Sequence, residues 1–193
     1  GEITYYLYDN EGELLFNNYS WVDLENISNN LIDATLSTED KHFYTHMGFD
    51  YLRIFKALIN NITSKSLSQR ASTITQQYAR NLYLNYEKTW KRKIEEALLA
   101  FELETHYTKG EILEGYLNTI NYGGVFGIEN ASQYYFNKSA AELNLAEASM
   151  LAGIPQSPSN YSPLYNIDLA KKRQKTVLNL MYNNGNISQE EMT

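Results

Sequence analysis

Apolar and polar positions recur with helical spacing over most of this chain. The exception is its start, where "EITYYLYDNEGELLF" reads as two short strands around a polar turn, Asp9 to Gly12. Ser28 can then cap a helix carrying Leu31, Ile32, Thr35 and Leu36 towards Glu39. Asp50 can cap a second, with Leu52, Phe55, Leu58, Ile59 and Ile62 in register. Residues 63–71, "TSKSLSQRA", are small, polar and aperiodic, which predicts a loop. A helix is expected from about Ser72 to Leu84. The longest is expected from Thr89 to Tyr107, with Trp90, Ile94, Ala97, Leu98 and Phe101 on one side.

Thr108 with Glu111, Ser139 with Glu142 and, more loosely, Asn144 with Glu147 have capping-box spacing. All three prolines, Pro155, Pro158 and Pro163, fall in "GIPQSPSNYSPLY", which predicts an extended connection. A helix from Ile167 to Tyr182 follows, ended by Asn184-Gly185, and then a last box, Ser188 with Glu191. The pattern predicts a mainly α domain over 21–193, preceded by a small β element and linker over 1–20.

Composition narrows the function classes. At 193 residues and 43% hydrophobic content, the chain can bury a sizeable core. A net charge of −7 argues against nucleic acid as a partner, since no basic excess exists to neutralise phosphates. With no cysteine, disulfides and thiolate metal sites are excluded. No apolar run approaches the roughly 20 residues of a spanning helix. Gly1 reads as an internal cut, and the helix opening at Ser188 stops short. The expectation is an excised part of a larger protein, without its anchor segment.

Three places could carry chemistry. Glu39, Phe43 and His46 share a face if helical, and an aromatic flank desolvates a carboxylate into a better proton acceptor. Glu39 and Asp40 read equally as ordinary surface acids. Glu96 lies one turn after Arg92 and one before Ala100, a face suited to an anionic ligand or merely to a surface ion pair. "STITQQ", residues 72–77, sets hydroxyls and amides at a helix start, where backbone N–H groups attract anions, with Arg80 and Lys88 to add charge. The plainer reading is a Ser cap followed by a polar face. His42, His46 and His106 lack zinc-ligand spacing, and HExxH, GxSxG, Walker A, GxGxxG, SxxK and KTG are all absent.

In combination these stretches resemble the peptidoglycan glycosyltransferases of family 51, found in bifunctional penicillin-binding proteins and monofunctional transglycosylases. Five motifs occur in the family's order between Leu31 and Pro163. They are "EDKHFYTHMGFD", "ASTITQQYARN", "RKIEEALLAFELE", "EILEGYLNTINYGGVFGIENAS" and "YYFNKSAAELNLAEASMLAGIPQSPSNYSP". The resemblance implies a lysozyme-like, two-lobed helical fold with a membrane-associated jaw at about residues 48–72. There the apolar run from Phe49 to Ile59 would meet the outer leaflet and the polyprenyl chain.

It also implies polymerisation of lipid II by an inverting attack of the acceptor's 4-hydroxyl, releasing undecaprenyl pyrophosphate. On matching positions Glu39 would be the general base and Glu96 the second acid. Ser72, Thr73, Gln76, Gln77, Arg80, Lys88, Arg92 and Lys93 would hold the pyrophosphate. Asp40, Phe43 and His46 would organise the site, and Asn118 would help shape the cleft.

No cofactor is required on this reading, although two acids near a pyrophosphate could hold magnesium or manganese. The implied partners are lipid II, the growing glycan, the outer leaflet and a covalently linked transpeptidase domain, at the extracytoplasmic face of a bacterial plasma membrane. Three positions depart from the family pattern: Arg70 stands for a glycine, Arg80 for a lysine and Glu95 for a basic residue. Glu95 is expected to weaken pyrophosphate binding. The rival readings are a lysozyme-like lytic hydrolase of peptidoglycan and a non-catalytic lipid II- or peptidoglycan-binding module.

Overall fold

The structure, a computed structural model, describes residues 5–8, 14–18, 21–45, 73–83 and 88–193. The helix expected after Asp50, the loop over 63–71, the jaw over 48–72 and Arg70 lie outside the described residues. The N-terminal pair forms as expected. Strands β1 (Tyr5–Tyr8) and β2 (Leu14–Asn18) run antiparallel, with an irregularity in register between Leu7 and Tyr8.

Everything else regular among the described residues is helical: α1 (Asn29–Glu39), α2 (Ile74–Asn81), α3 (Trp90–His106), α4 (Lys109–Thr119), α5 (Ile128–Phe136), α6 (Leu145–Ala152), α7 (Pro158–Tyr161), α8 (Ile167–Asn183) and α9 (Gln189–Met192). This is the mainly α, lysozyme-like fold class that the motifs implied. The chain groups into two compact units, Gly1–Thr38 with Leu117–Thr193, and Glu39–Tyr116.

The first unit is built from two separated stretches of sequence. Its helices converge on Ala34, Ala152, Val177, Met181 and Ile187, with Leu145, Leu178 and Met192 packed against them. The buried Ser28 hydroxyl donates to the Leu143 carbonyl at 2.7 Å, tying the start of α1 to a residue 115 positions away. Ser37 donates to the Asn186 side chain at 2.7 Å and fixes the end of the same helix.

Gly127 opens α5 at φ 86°, a left-handed conformation that costs L side chains energy. A Cβ there would lie 2.6 Å from the Asn118 carbonyl oxygen, so the backbone approach itself requires glycine.

Three of the expected capping boxes form. Thr108 and Glu111 exchange backbone-to-side-chain bonds of 3.1 Å each, and Asn144 with Glu147 and Ser188 with Glu191 do the same. Ser139 instead opens only a 3-10 turn, Ala140–Glu142, and accepts from Ala141. Asn144 follows so closely that both signals cannot start α-helices, and the later one opens α6. The proline stretch is likewise not wholly extended. Pro158 sits at the first position of the one-turn α7, where its missing N–H costs nothing.

In the second unit α2 packs on α3. The buried face of α3 is Glu96, Ala97, Ala100 and Leu103, whereas Leu98 and Phe101, expected on the apolar side, are exposed. Small alanines let the two helices approach closely, and that selects the face. Phe43, Ile74, Ala79, Ile112, Leu113 and Tyr116 are also buried in this unit.

Candidate active site

Helix α2 begins one residue later than its sequence suggests. Thr73 is its N-cap, accepting from Gln76 N at 3.2 Å, while Thr73 N donates to Gln76 Oε1 at 3.0 Å. The next amide, Ile74 N, donates to Asp40 Oδ2 at 3.3 Å. A carboxylate of this chain therefore occupies the helix start, where dipole and unpaired N–H groups favour negative charge. Thr73 and Gln76, expected to help hold the pyrophosphate, are both buried and close the start of the helix. Asp40, expected to organise the site, accepts the bond from Ile74 N in the first turn of α2. Ser72 and His46 lie outside the described residues.

Once closed, α2 presents Gln77 and Arg80 one turn apart. Gln77 Nε2 donates to Glu39 Oε2 at 3.2 Å, and Gln77 Oε1 accepts from the Tyr116 hydroxyl at 2.9 Å. Glu39 is the last residue of α1.

Arg80 faces α3, where Glu96 is 5% exposed. Burial pushes the Glu96 carboxyl above its ordinary range, and Lys93, Arg80 and Arg92 pull it back down. Burial likewise lowers the Lys93 ammonium, with Glu96 opposing and Arg80 reinforcing the shift. Lys93 Nζ stands 3.9 Å from Glu96 Oε2, an ion pair beyond hydrogen-bond length. The site thus holds a half-compensated acid among three cations.

The Arg92 guanidinium lies 4.0 Å from the centre of the Tyr83 ring, and its Nε stands 3.5 Å from Glu95 Oε2. Glu95, expected to oppose anion binding, holds Arg92 in place. Lys88 is exposed just before Thr89, the N-cap of α3.

Phe43 is buried under the Lys109 ammonium, 4.6 Å from its ring centre, and packs edge-on against Tyr44. Lys109 in turn donates to Glu104 Oε1 at 2.8 Å, and Thr75 donates to the same oxygen at 2.7 Å. This network, together with Tyr83 and Tyr116, escaped the sequence reading. Tyr116 shares helical spacing with Ile112 and Leu113 and looks like core. Thr75 is too far from Glu104 in sequence to suggest contact.

Asn118 belongs to the other unit. Its amide accepts from Val22 N and donates to Val22 O, both at 2.9 Å, as a neighbouring strand would. It pins the approach to α1 and is not grouped with the acids. Among the described residues no three His, Asp or Glu side chains are placed to hold a metal ion.

Comparisons with known proteins bear on the family. Residues 12–182 match the transglycosylase family. Penicillin-binding protein 2D of Bacillus subtilis is 52% identical over 172 residues, 89% of this chain and 25% of that protein. Penicillin-binding protein 1A of Neisseria lactamica is 49% identical over 152 residues, 78% of this chain and 19% of that protein. Penicillin-binding protein 1A from Haemophilus influenzae aligns structurally with a TM-score of 0.55 and 25% identity, covering 100% of this chain and 20% of that one. The chain thus spans about a quarter or less of the length of these relatives. With the motifs in order and both acids set in one unit, the chain belongs to the transglycosylase family, as a domain of the kind carried by penicillin-binding proteins.

Proposed function

We propose that this domain is a peptidoglycan glycosyltransferase that polymerises lipid II into β-1,4-linked glycan strands. Glu39 takes the proton of the acceptor's 4-hydroxyl as that oxygen attacks the anomeric carbon of the lipid-linked chain. The centre inverts and undecaprenyl pyrophosphate leaves. The observation that carries this reading is the cationic niche around a buried acid in the same unit as Glu39. Glu39 accepts from the Gln77 amide, and Glu96 is buried among Lys93, Arg80 and Arg92. Two carboxylates can divide acid–base work, and a cationic niche suits the side on which leaving-group charge develops. Arg80, Arg92, Lys93 and the exposed Lys88 are the groups that would meet the pyrophosphate.

The proposal extends to the setting: the outer leaflet of a bacterial plasma membrane, lipid II and the nascent glycan as ligands, and a transpeptidase domain in the same polypeptide. No helix among the described residues is long and apolar enough to cross a membrane. No cofactor enters the scheme. Magnesium or manganese near the two acids is not required by it, and the EDTA arm of the lipid II assay tests that.

Labelled lipid II in detergent tests the whole reading. The domain should yield glycan polymer with or without EDTA, and Glu39→Gln and Glu96→Gln should abolish it. Polymer formation by the Glu39→Gln variant would refute the base. Cleavage of preformed glycan without polymerisation would identify a lytic enzyme, and binding without turnover a non-catalytic module.

A further inference from the structure

We propose that Tyr116 is a positioning residue for the transfer: its hydroxyl fixes the Gln77 amide so that an N–H of that amide faces Glu39 Oε2. The inference rests on the reading of Glu39 as the base, and goes beyond it by naming what sets that base's protonation and aim. A glutamine amide is two-faced, with a donor and an acceptor that exchange places on a half-turn. At Gln77 both ends are in use, 3.2 Å from Glu39 Oε2 and 2.9 Å from the Tyr116 hydroxyl.

An ionised carboxylate only accepts, so it requires the N–H end. The Tyr116 hydroxyl must then donate to Oε1. The reverse setting would put Oε1 against a carboxylate oxygen and is tolerated only when Glu39 carries a proton. The three groups therefore form a directional chain, hydroxyl to amide to carboxylate, which favours the ionised, proton-accepting form of Glu39.

The anchor of that chain is rigid. Tyr116 is 0% exposed, and it follows Gly115, whose added Cβ would lie 2.5 Å from the Tyr78 hydroxyl oxygen. Close packing at the neighbouring residue and burial of the ring together leave Tyr116 little freedom. Gln77 rides on α2, whose start is clamped by Asp40. The amide is thus held from both directions, and only its own half-turn remains. Once Glu39 has taken the acceptor's proton, that half-turn becomes permissible, with the tyrosine hydroxyl now accepting. The chain thereby distinguishes the enzyme before the proton transfer from the enzyme after it.

The test is the pH dependence of lipid II polymerisation by Tyr116→Phe, beside Gln77→Ala and the double variant. Phenylalanine keeps the ring, so folding is followed by circular dichroism. The expected result is a loss of kcat of about tenfold, the scale of one hydrogen bond, with KM for lipid II within about twofold. The acid limb of the profile moves to higher pH, because the carboxylate loses an oriented donor. The double variant shows no further shift beyond Gln77→Ala.

Should Tyr116→Phe not fold, 3-fluorotyrosine at position 116 retains the hydroxyl as a stronger donor, and the acid limb should move to lower pH. An unmoved limb in either variant, or losses that add to those of Gln77→Ala, would overturn the relay. Polymer formation by Glu39→Gln would overturn both the relay and the base. Loss of activity in Glu39→Gln with an unmoved limb in Tyr116→Phe overturns the relay alone.

Discussion

Glu96 is the residue at which burial and charge oppose each other. Burial raises its carboxyl above the ordinary range despite three nearby cations. An acid with a raised native pKa binds more protons folded than unfolded between its two values. Stability therefore falls as pH rises from the ordinary glutamate range through the native value. At neutral pH the charged form is a standing cost. Glu96→Gln, expected to be inactive, should be more stable than the parent at pH 7. Urea titrations should show that advantage shrinking to nothing as pH falls towards about 4, the ordinary glutamate value. An equal advantage at both pH values would mean that packing, and not charge, sets the difference. Helical spacing placed Glu96 one turn from Arg92 and gave no sign of its burial. Its burial follows from Ala97 and Ala100, which bring α2 and Arg80 close. No i, i+4 rule contains that information, because it concerns a second helix.

At the scale of elements, local signals were legible wherever a few adjacent residues decide the outcome. Thr108, Asn144 and Ser188 each close a capping box with the acid three positions on. Ser139 did not, because a competing cap five residues later claims the chain. The strand pair and the limits of α8 were equally plain. What stayed hidden were contacts between elements, such as Asp40 on the first turn of α2 or Asn118 on Val22. Glycines make the same distinction measurable. Gly124 and Gly127 both have positive φ, 92° and 86°, but an added Cβ meets nothing within 4 Å at Gly124 and the Asn118 carbonyl at Gly127. Gly124→Ala should cost about 1 kcal/mol of conformational strain. Gly127→Ala should cost distinctly more, and chemical denaturation of the pair separates strain from the clash.

On the scale of the molecule, the first unit exists only when distant stretches of chain meet. Ala34 on α1 packs with Val177 and Met181 on α8, about 145 residues later. Met181→Ala should therefore cost about 2–5 kcal/mol, and the loss should appear as faster hydrogen exchange in α1 as well as in α8. Exchange that rises in α8 alone would show that the helices are not energetically joined. The five motifs announced the family, and the helical periodicity announced the class. Neither gave the bounds of the two compact units, Gly1–Thr38 with Leu117–Thr193 and Glu39–Tyr116.

The hydrogen bond from Ile74 N to Asp40 Oδ2 has a consequence for how such a domain can be altered. Residues 40 and 74 bracket a long segment, and the bond joins its two ends immediately beside Glu39 and three residues before Gln77. That seam sets Glu39 and Gln77 against one another, so a change at Asp40 is felt at both residues.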